Sequence, residues 1–87
     1  MEELRNQIDI IDQSIQNLFL ERMGIVKKVA LYKKENKLPV FDEKREKDII
    51  VKNVSRIDDL DLSDLYEEFY RKMIEMSRKY QERIIGE

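Results

Sequence analysis

Arg22 is the residue whose type and position most clearly indicate a binding site in this chain. From Leu4 onward, apolar residues recur at steps of three and four, as on one face of a helix, and the step after Leu18 falls on Arg22. A guanidinium there needs a carboxylate or a ligand, because an unpaired buried charge costs several kcal/mol. Lys33 lies eleven residues further on, about 20° away around the helix and about 16 Å along it. The structural alternative is that Arg22 reaches solvent or pairs with a glutamate and that Lys33 is solvated.

A second group of polar residues interrupts an apolar stripe near the end of the chain. Tyr70, Ile74 and Ile84 follow helical spacing, but Ser77 and Gln81 occupy the middle of the same stripe, one turn apart. Both side chains can donate and accept hydrogen bonds. Either they face a ligand, or they are buried polar groups that bond across helices and make the packing specific.

A third group stands where a second helix is predicted to begin. Asp42 is a suitable N-cap residue, and Glu46 lies within about one turn of it. Acidic residues at this end of a helix interact favourably with its dipole, so Asp42 and Glu46 also have an ordinary structural explanation. Arg45, in the same turn, is less expected.

The composition excludes several classes of chemistry. The chain has 87 residues with no Cys and no His, so thiolate nucleophiles, zinc–thiolate sites and histidine-dependent triads are absent. Its 17 basic and 19 acidic residues give a net charge of -2, which provides no general attraction to nucleic acid or anionic lipid. No secretory signal and no apolar run of about 20 residues is present. We therefore expect a soluble cytoplasmic protein.

The hydrophobic periodicity predicts an all-α fold with a long, a short and a long helix. The first should span residues 2 to about 34, ending before Pro39, which disfavours helical geometry in the preceding residue. The second should run from its Asp42 cap to about residue 55. A loop over residues 56–62 should precede a third helix over residues 64 to about 84, capped near Asp61 or Ser63. With no repeat and no linker, residues 1–87 are predicted to form one domain.

The length of the first helix predicts a second copy of the chain. A helix of this length extends about 48 Å, whereas a compact chain of this size has a diameter of roughly 30 Å. Much of its apolar stripe, including Leu4, Ile8 and Ile11, therefore cannot be covered by the same chain. A two-fold homodimer in which the long helices pack together is the simplest solution.

Taken together, the spacing of these polar residues resembles the all-α class of chorismate mutase, the type II class typical of bacteria. The resemblance covers nearly the whole chain and rests on eight positions: Arg5, Arg22, Lys33, Asp42, Arg45, Glu46, Ser77 and Gln81. It implies an intertwined homodimer of three-helix chains with two equivalent active sites. It also implies the rearrangement of chorismate to prephenate in phenylalanine and tyrosine biosynthesis. That reaction is unimolecular and pericyclic, and it requires no nucleophile, metal or cofactor.

The resemblance also assigns a role to each residue that binds the substrate carboxylates. Arg22 and the Arg5 of the other subunit would hold them, which suits the planar guanidinium fork. Ser77 and Arg45 would complete that end of the site. Arg5 lies seventeen residues before Arg22, about 25 Å away on the same helix, so it cannot serve the Arg22 site of its own chain.

The remaining roles concern the ether bridge and the ring hydroxyl of chorismate. Lys33 and Gln81 would donate to the ether oxygen, where negative charge grows as the C–O bond breaks. Glu46, with the backbone near Asp42, would bind the hydroxyl. The site would then contain four cations and two carboxylates, namely Arg5, Arg22, Lys33 and Arg45 against Asp42 and Glu46. Their net formal charge is +2, which a dianionic substrate neutralises.

Two alternatives remain at this stage. An isochorismate pyruvate lyase shares the fold, but its pattern lacks the acid that follows the arginine, so Arg45-Glu46 favours the mutase. The other alternative is a helical dimerisation or RNA-binding module in which polar residues only set the helix register. The chain has no basic face, which argues against RNA.

Overall fold

The computed structural model describes residues 1–86 and contains three helices. These are α1 (Glu2–Glu35), α2 (Glu43–Val54) and α3 (Leu60–Ile85). No strand occurs within residues 1–86, and the predicted all-α fold with long, short and long helices is confirmed. The bounds of α1 and α2 agree with the predicted ones to within one residue.

The predicted start of the third helix is wrong. α3 begins at Leu60, and its N-cap is Asp59, whose side chain accepts a hydrogen bond from the Asp61 amide at 2.8 Å. Asp61 and Ser63, the predicted caps, lie inside the helix. Asp59 has an extended backbone, and its carbonyl accepts from the Ser63 amide at 2.9 Å, which closes the first turn. Because Leu60 is 87% exposed, capping rather than burial sets this boundary.

α1 ends in a Schellman turn that folds the chain back toward α2. The Leu38 amide donates to the Lys33 carbonyl at 2.8 Å, and the Lys37 amide donates to the Lys34 carbonyl at 3.3 Å. Lys37 adopts φ 55°, the left-handed conformation that this turn requires at the position after the cap. Pro39 follows and cannot continue the helix. The turn brings the start of α2 beside the end of α1.

α3 is the central element and packs against both α1 and α2. Ile50 of α2 packs with Tyr70 and Ile74 of α3, while Val26 and Ala30 are the buried residues of α1. These five are the buried hydrophobic residues within residues 1–86. A core this small stabilises a single domain only weakly.

The chain is elongated, and most of its first helix lies outside the core. Its extents are 51 × 26 × 14 Å, with a radius of gyration of 15.7 Å, compared with about 12 Å for a compact chain of this length. Leu4, Ile8 and Ile11 are 58%, 56% and 57% exposed. The chain therefore leaves its N-terminal apolar stripe uncovered, as the length of the helix predicts. None of the helices formed by residues 1–86 combines the length and hydropathy needed to cross a membrane.

Candidate active site

A cavity of about 170 Å³ lies between the second half of α1, the first turn of α2 and the second half of α3. Seven of the eight residues predicted for the site line it: Arg22, Lys33, Asp42, Arg45, Glu46, Ser77 and Gln81. Its apolar lining consists of Val26, Val29, Val40, Ile49 and Ile74. The fold thus brings residues from positions 22 to 81 to one concave surface, in which charged groups border an apolar wall.

Arg5 is the predicted residue that does not reach this cavity. It lies in the first turns of α1 with its side chain 67% exposed, and its Nη1 atom is 3.9 Å from Glu2 Oε1. A contact this long between exposed groups contributes little to stability. Arg5 is therefore free to reach a group outside its own chain.

Arg22 is held by a hydroxyl rather than by a carboxylate. Its Nη1 atom donates to Ser77 Oγ, and Ser77, which is buried, donates in turn to the Met73 carbonyl at 2.9 Å. Within residues 1–86, no carboxylate oxygen lies within 4.0 Å of the Arg22 guanidinium. Within this described part of the chain, the structural alternative of a glutamate partner for Arg22 therefore does not hold. The half-buried guanidinium thus has no charged partner within residues 1–86, and it lines the cavity, where an anionic ligand can contact it.

Lys33 and Gln81 form a pair of donors on the same wall. Lys33 Nζ donates to the Val40 carbonyl at 2.8 Å and to Gln81 Oε1 at 3.0 Å. Because an ammonium has three N–H groups and cannot accept, one donor remains on Lys33. The same contact orients the amide of Gln81, since the atom facing the ammonium must be its oxygen. Its Nε2 group is left as a second donor.

The N-terminus of α2 supplies the opposite wall. Asp42 caps the helix, with its Oδ1 atom accepting from the Arg45 amide at 3.0 Å. This carboxylate is therefore engaged with the backbone and holds the first turn in place. Arg45 is exposed and lies at the rim, while the Glu46 side chain is only 18% exposed.

Arg78 lines the cavity and was missed by the sequence analysis. Its Nη2 atom donates to Glu46 Oε1 at 3.2 Å, and its Nε atom lies 3.2 Å from Glu46 Oε2. Its guanidinium carbon also lies 4.9 Å from the centre of the Phe41 ring. Because Arg78 directly follows Ser77, its side chain leaves the helix about 100° away from that of Ser77. Its positions one turn after Ile74 and one turn before Gln81 were the signal that it faces the site.

The cavity is electropositive. The charged residues that line it are four cations, Arg22, Lys33, Arg45 and Arg78, and two carboxylates, Asp42 and Glu46, with a net formal charge of +2. Both carboxylates are engaged, Asp42 by the helix cap and Glu46 by Arg78. Such a site favours an anion with about two negative charges and an apolar face.

Comparison with protein families identifies the chain at the level of the family. Neither the comparison with curated proteins nor that with solved structures returned a match. The family model described as chorismate mutase type II matches residues 4–82, a span that contains Arg78 and all eight residues predicted for the site. The chain belongs to the chorismate mutase type II family.

Proposed function

We propose that the protein is a chorismate mutase, an isomerase that rearranges chorismate to prephenate for phenylalanine and tyrosine biosynthesis. The observation that carries this proposal is the wall formed by Arg22, Lys33 and Gln81. It combines two cations without a carboxylate partner in residues 1–86 with an amide that has a free donor. Chorismate is a dicarboxylate with an ether bridge, and these groups match its charges and acceptors.

The proposed catalysis is electrostatic and conformational. Lys33 Nζ and Gln81 Nε2 donate to the ether oxygen as it gains negative charge in the transition state. Preorganised donors of this kind are each worth about 3 to 4 kcal/mol when removed. A 10⁶-fold acceleration needs about 8 kcal/mol, so two or three such groups suffice. The apolar wall holds the flexible substrate in its compact reactive conformer, which lowers the entropic part of the barrier.

The other substrate groups fit the remaining side chains. Arg22 binds one carboxylate, with Ser77 holding its guanidinium, and Arg45 lies at the rim where it attracts the same end of the substrate. Glu46 accepts the hydrogen bond of the ring hydroxyl. Asp42 acts mainly through the backbone of the α2 N-terminus, which it keeps in place through its cap.

We further propose a homodimer in which Arg5 of each subunit completes the site of the other. In support, an apolar groove of about 330 Å³ between α1 and α3 lies open in the single chain. Ile15, Leu18 and Phe69 line it and are 50%, 63% and 49% exposed. Together with the uncovered stripe of α1, this is the apolar surface that a long partner helix would bury.

The activity is tested by following the absorbance of chorismate in the presence of the protein. We expect chorismate to disappear and prephenate to form, with no pyruvate released. If chorismate is stable and isochorismate yields pyruvate, the protein is the related lyase. If neither compound reacts, the helical module without catalysis is the better explanation.

Gln81 leads to a prediction about pH dependence. An amide donates a hydrogen bond at any pH, whereas a carboxyl group donates only when protonated. The wild-type kcat/KM should therefore be nearly constant between about pH 5 and 8, and that of Gln81→Glu should fall steeply as the pH rises through this interval. Initial rates over this range check it. A steep loss in the wild-type protein would contradict the role of Gln81.

A further inference from the structure

Arg78 joins three parts of the site. It belongs to α3, contacts Glu46 in the first turn of α2 through two nitrogen atoms, and lies over Phe41 in the segment before that helix. The Nη2 atom donates a hydrogen bond to Oε1, whereas the buried Nε atom lies 3.2 Å from Oε2 without forming a hydrogen bond. The planar guanidinium holds these two nitrogens in a fixed geometry relative to each other, which a single ammonium cannot reproduce. The contact with the aromatic face limits the rotation of the guanidinium still further.

Glu46 depends on this contact. Its side chain is 18% exposed and faces a cavity that, on the function proposed above, receives a dianion. Within residues 1–86, Arg78 is the cation that lies within 4.0 Å of this carboxylate. Without it, a mostly buried negative charge would stand unpaired beside the two charges of the substrate, which is unfavourable for both.

We propose that Arg78 is a positioning residue that acts through Glu46. It orients the Glu46 carboxylate toward the ring hydroxyl of the substrate and neutralises the negative charge of Glu46. A hydrogen-bond acceptor can therefore lie in a site that binds an anion. This inference rests on the proposed mutase activity. It gives Arg78 a role distinct from that of Arg22 and Arg45, whose charges face the substrate itself.

The test is a double-mutant cycle in kcat/KM for chorismate, with Arg78→Gln, Glu46→Gln and the double variant. Arg78→Gln alone should lower kcat/KM at least about tenfold, because Glu46 keeps its charge and loses its partner. In the Glu46→Gln background, Arg78→Gln should lower kcat/KM by less than about threefold. Arg78→Lys, which keeps the charge but not the planar guanidinium, should retain more activity than Arg78→Gln.

Arg71→Gln is the matched control. Arg71 lies on α3 two turns earlier and pairs with Glu67 at 2.9 Å; Arg71 is exposed, Glu67 is half-buried, and neither lines the cavity. This variant should keep wild-type kcat/KM, and thermal unfolding of all variants should show whether Arg78 acts on folding. If Arg78→Gln does not fold, Arg78→Lys with and without Glu46→Gln gives the same comparison.

Three results overturn the proposal for Arg78: equal losses in both backgrounds, a loss confined to thermal stability, or no advantage of lysine over glutamine. Each of these requires a wild-type protein that converts chorismate. An inactive wild-type protein instead overturns the proposed function, and the inference falls with it. The two failures are therefore distinguished by the first measurement.

Discussion

Replacing Lys33 with alanine should lower kcat/KM for chorismate at least about 100-fold, or about 3 kcal/mol. The ammonium is the charged donor of the proposed ether-oxygen pair. Its removal also releases Gln81, whose Oε1 atom accepts from Lys33 Nζ at 3.0 Å. One substitution therefore removes one donor and disorders the other, so the loss should exceed that of a single neutral hydrogen bond.

Lys34→Ala is the control for this prediction. Lys34 is the next residue of α1, lies in the same last turn and is exposed. Both substitutions remove a cation from the C-terminus of the helix, so both lose the same interaction with its dipole. We expect Lys34→Ala to be nearly as active as the wild-type protein when initial rates are measured. A loss below tenfold for Lys33→Ala would disprove its catalytic role.

Arg5→Ala and Arg22→Ala should each abolish most of the activity, by at least about 100-fold, and a mixture of the two should recover it in part. In a mixed dimer, the subunit with Arg5→Ala still has Arg22 and receives an intact Arg5 from its partner. The other site lacks both arginines. Random reassociation of equal amounts makes half of the dimers mixed, so the mixture should reach about a quarter of the wild-type activity.

Recovery on mixing is specific to a site shared between subunits. If Arg5 served its own chain, each site of the mixed dimer would lack one arginine, and the mixture would stay inactive. The measurement consists of refolding the two variants together from urea and then determining initial rates. Sedimentation should give a mass of about 21 kDa for each sample, twice the 10.6 kDa of one chain. A stable folded monomer would contradict both the dimer and the shared site.

The bounds of α1 and the face on which its polar residues lie could be predicted from interactions between residues close in sequence. Apolar spacing and helical geometry alone put Arg22 and Lys33 on one face of one helix. Pro39 and the Asp42 cap likewise bounded α1 and α2, because both act within a few residues of their own position. The start of α3 was harder, since Asp58, Asp59, Asp61 and Ser63 can all act as caps. The choice depends on which of them adopts an extended backbone.

The contacts across helices could not be predicted from the residues on one helix. Ser77 accepts from Arg22 across 55 positions of sequence, and Gln81 accepts from Lys33 across 48. The pairing of Arg78 with Glu46 could not be predicted for the same reason, because Glu46 lies 32 positions away on α2. Helical spacing predicts the face of α3 on which Arg78 lies, but not the partner that it contacts there.

The sequence by itself determined the elements of this protein, the faces on which its polar residues lie and, through the length of α1, the apolar surface left uncovered. These depend on periodicity and capping, which are local properties of the chain. Only the tertiary structure decided which cations have carboxylate partners: Arg78 pairs with Glu46, while Arg22 is held by Ser77 and Lys33 by Gln81. The physical reason is that the distances between helices determine which charged side chains pair with each other. The cations that remain without a carboxylate partner are those that can bind an anionic ligand.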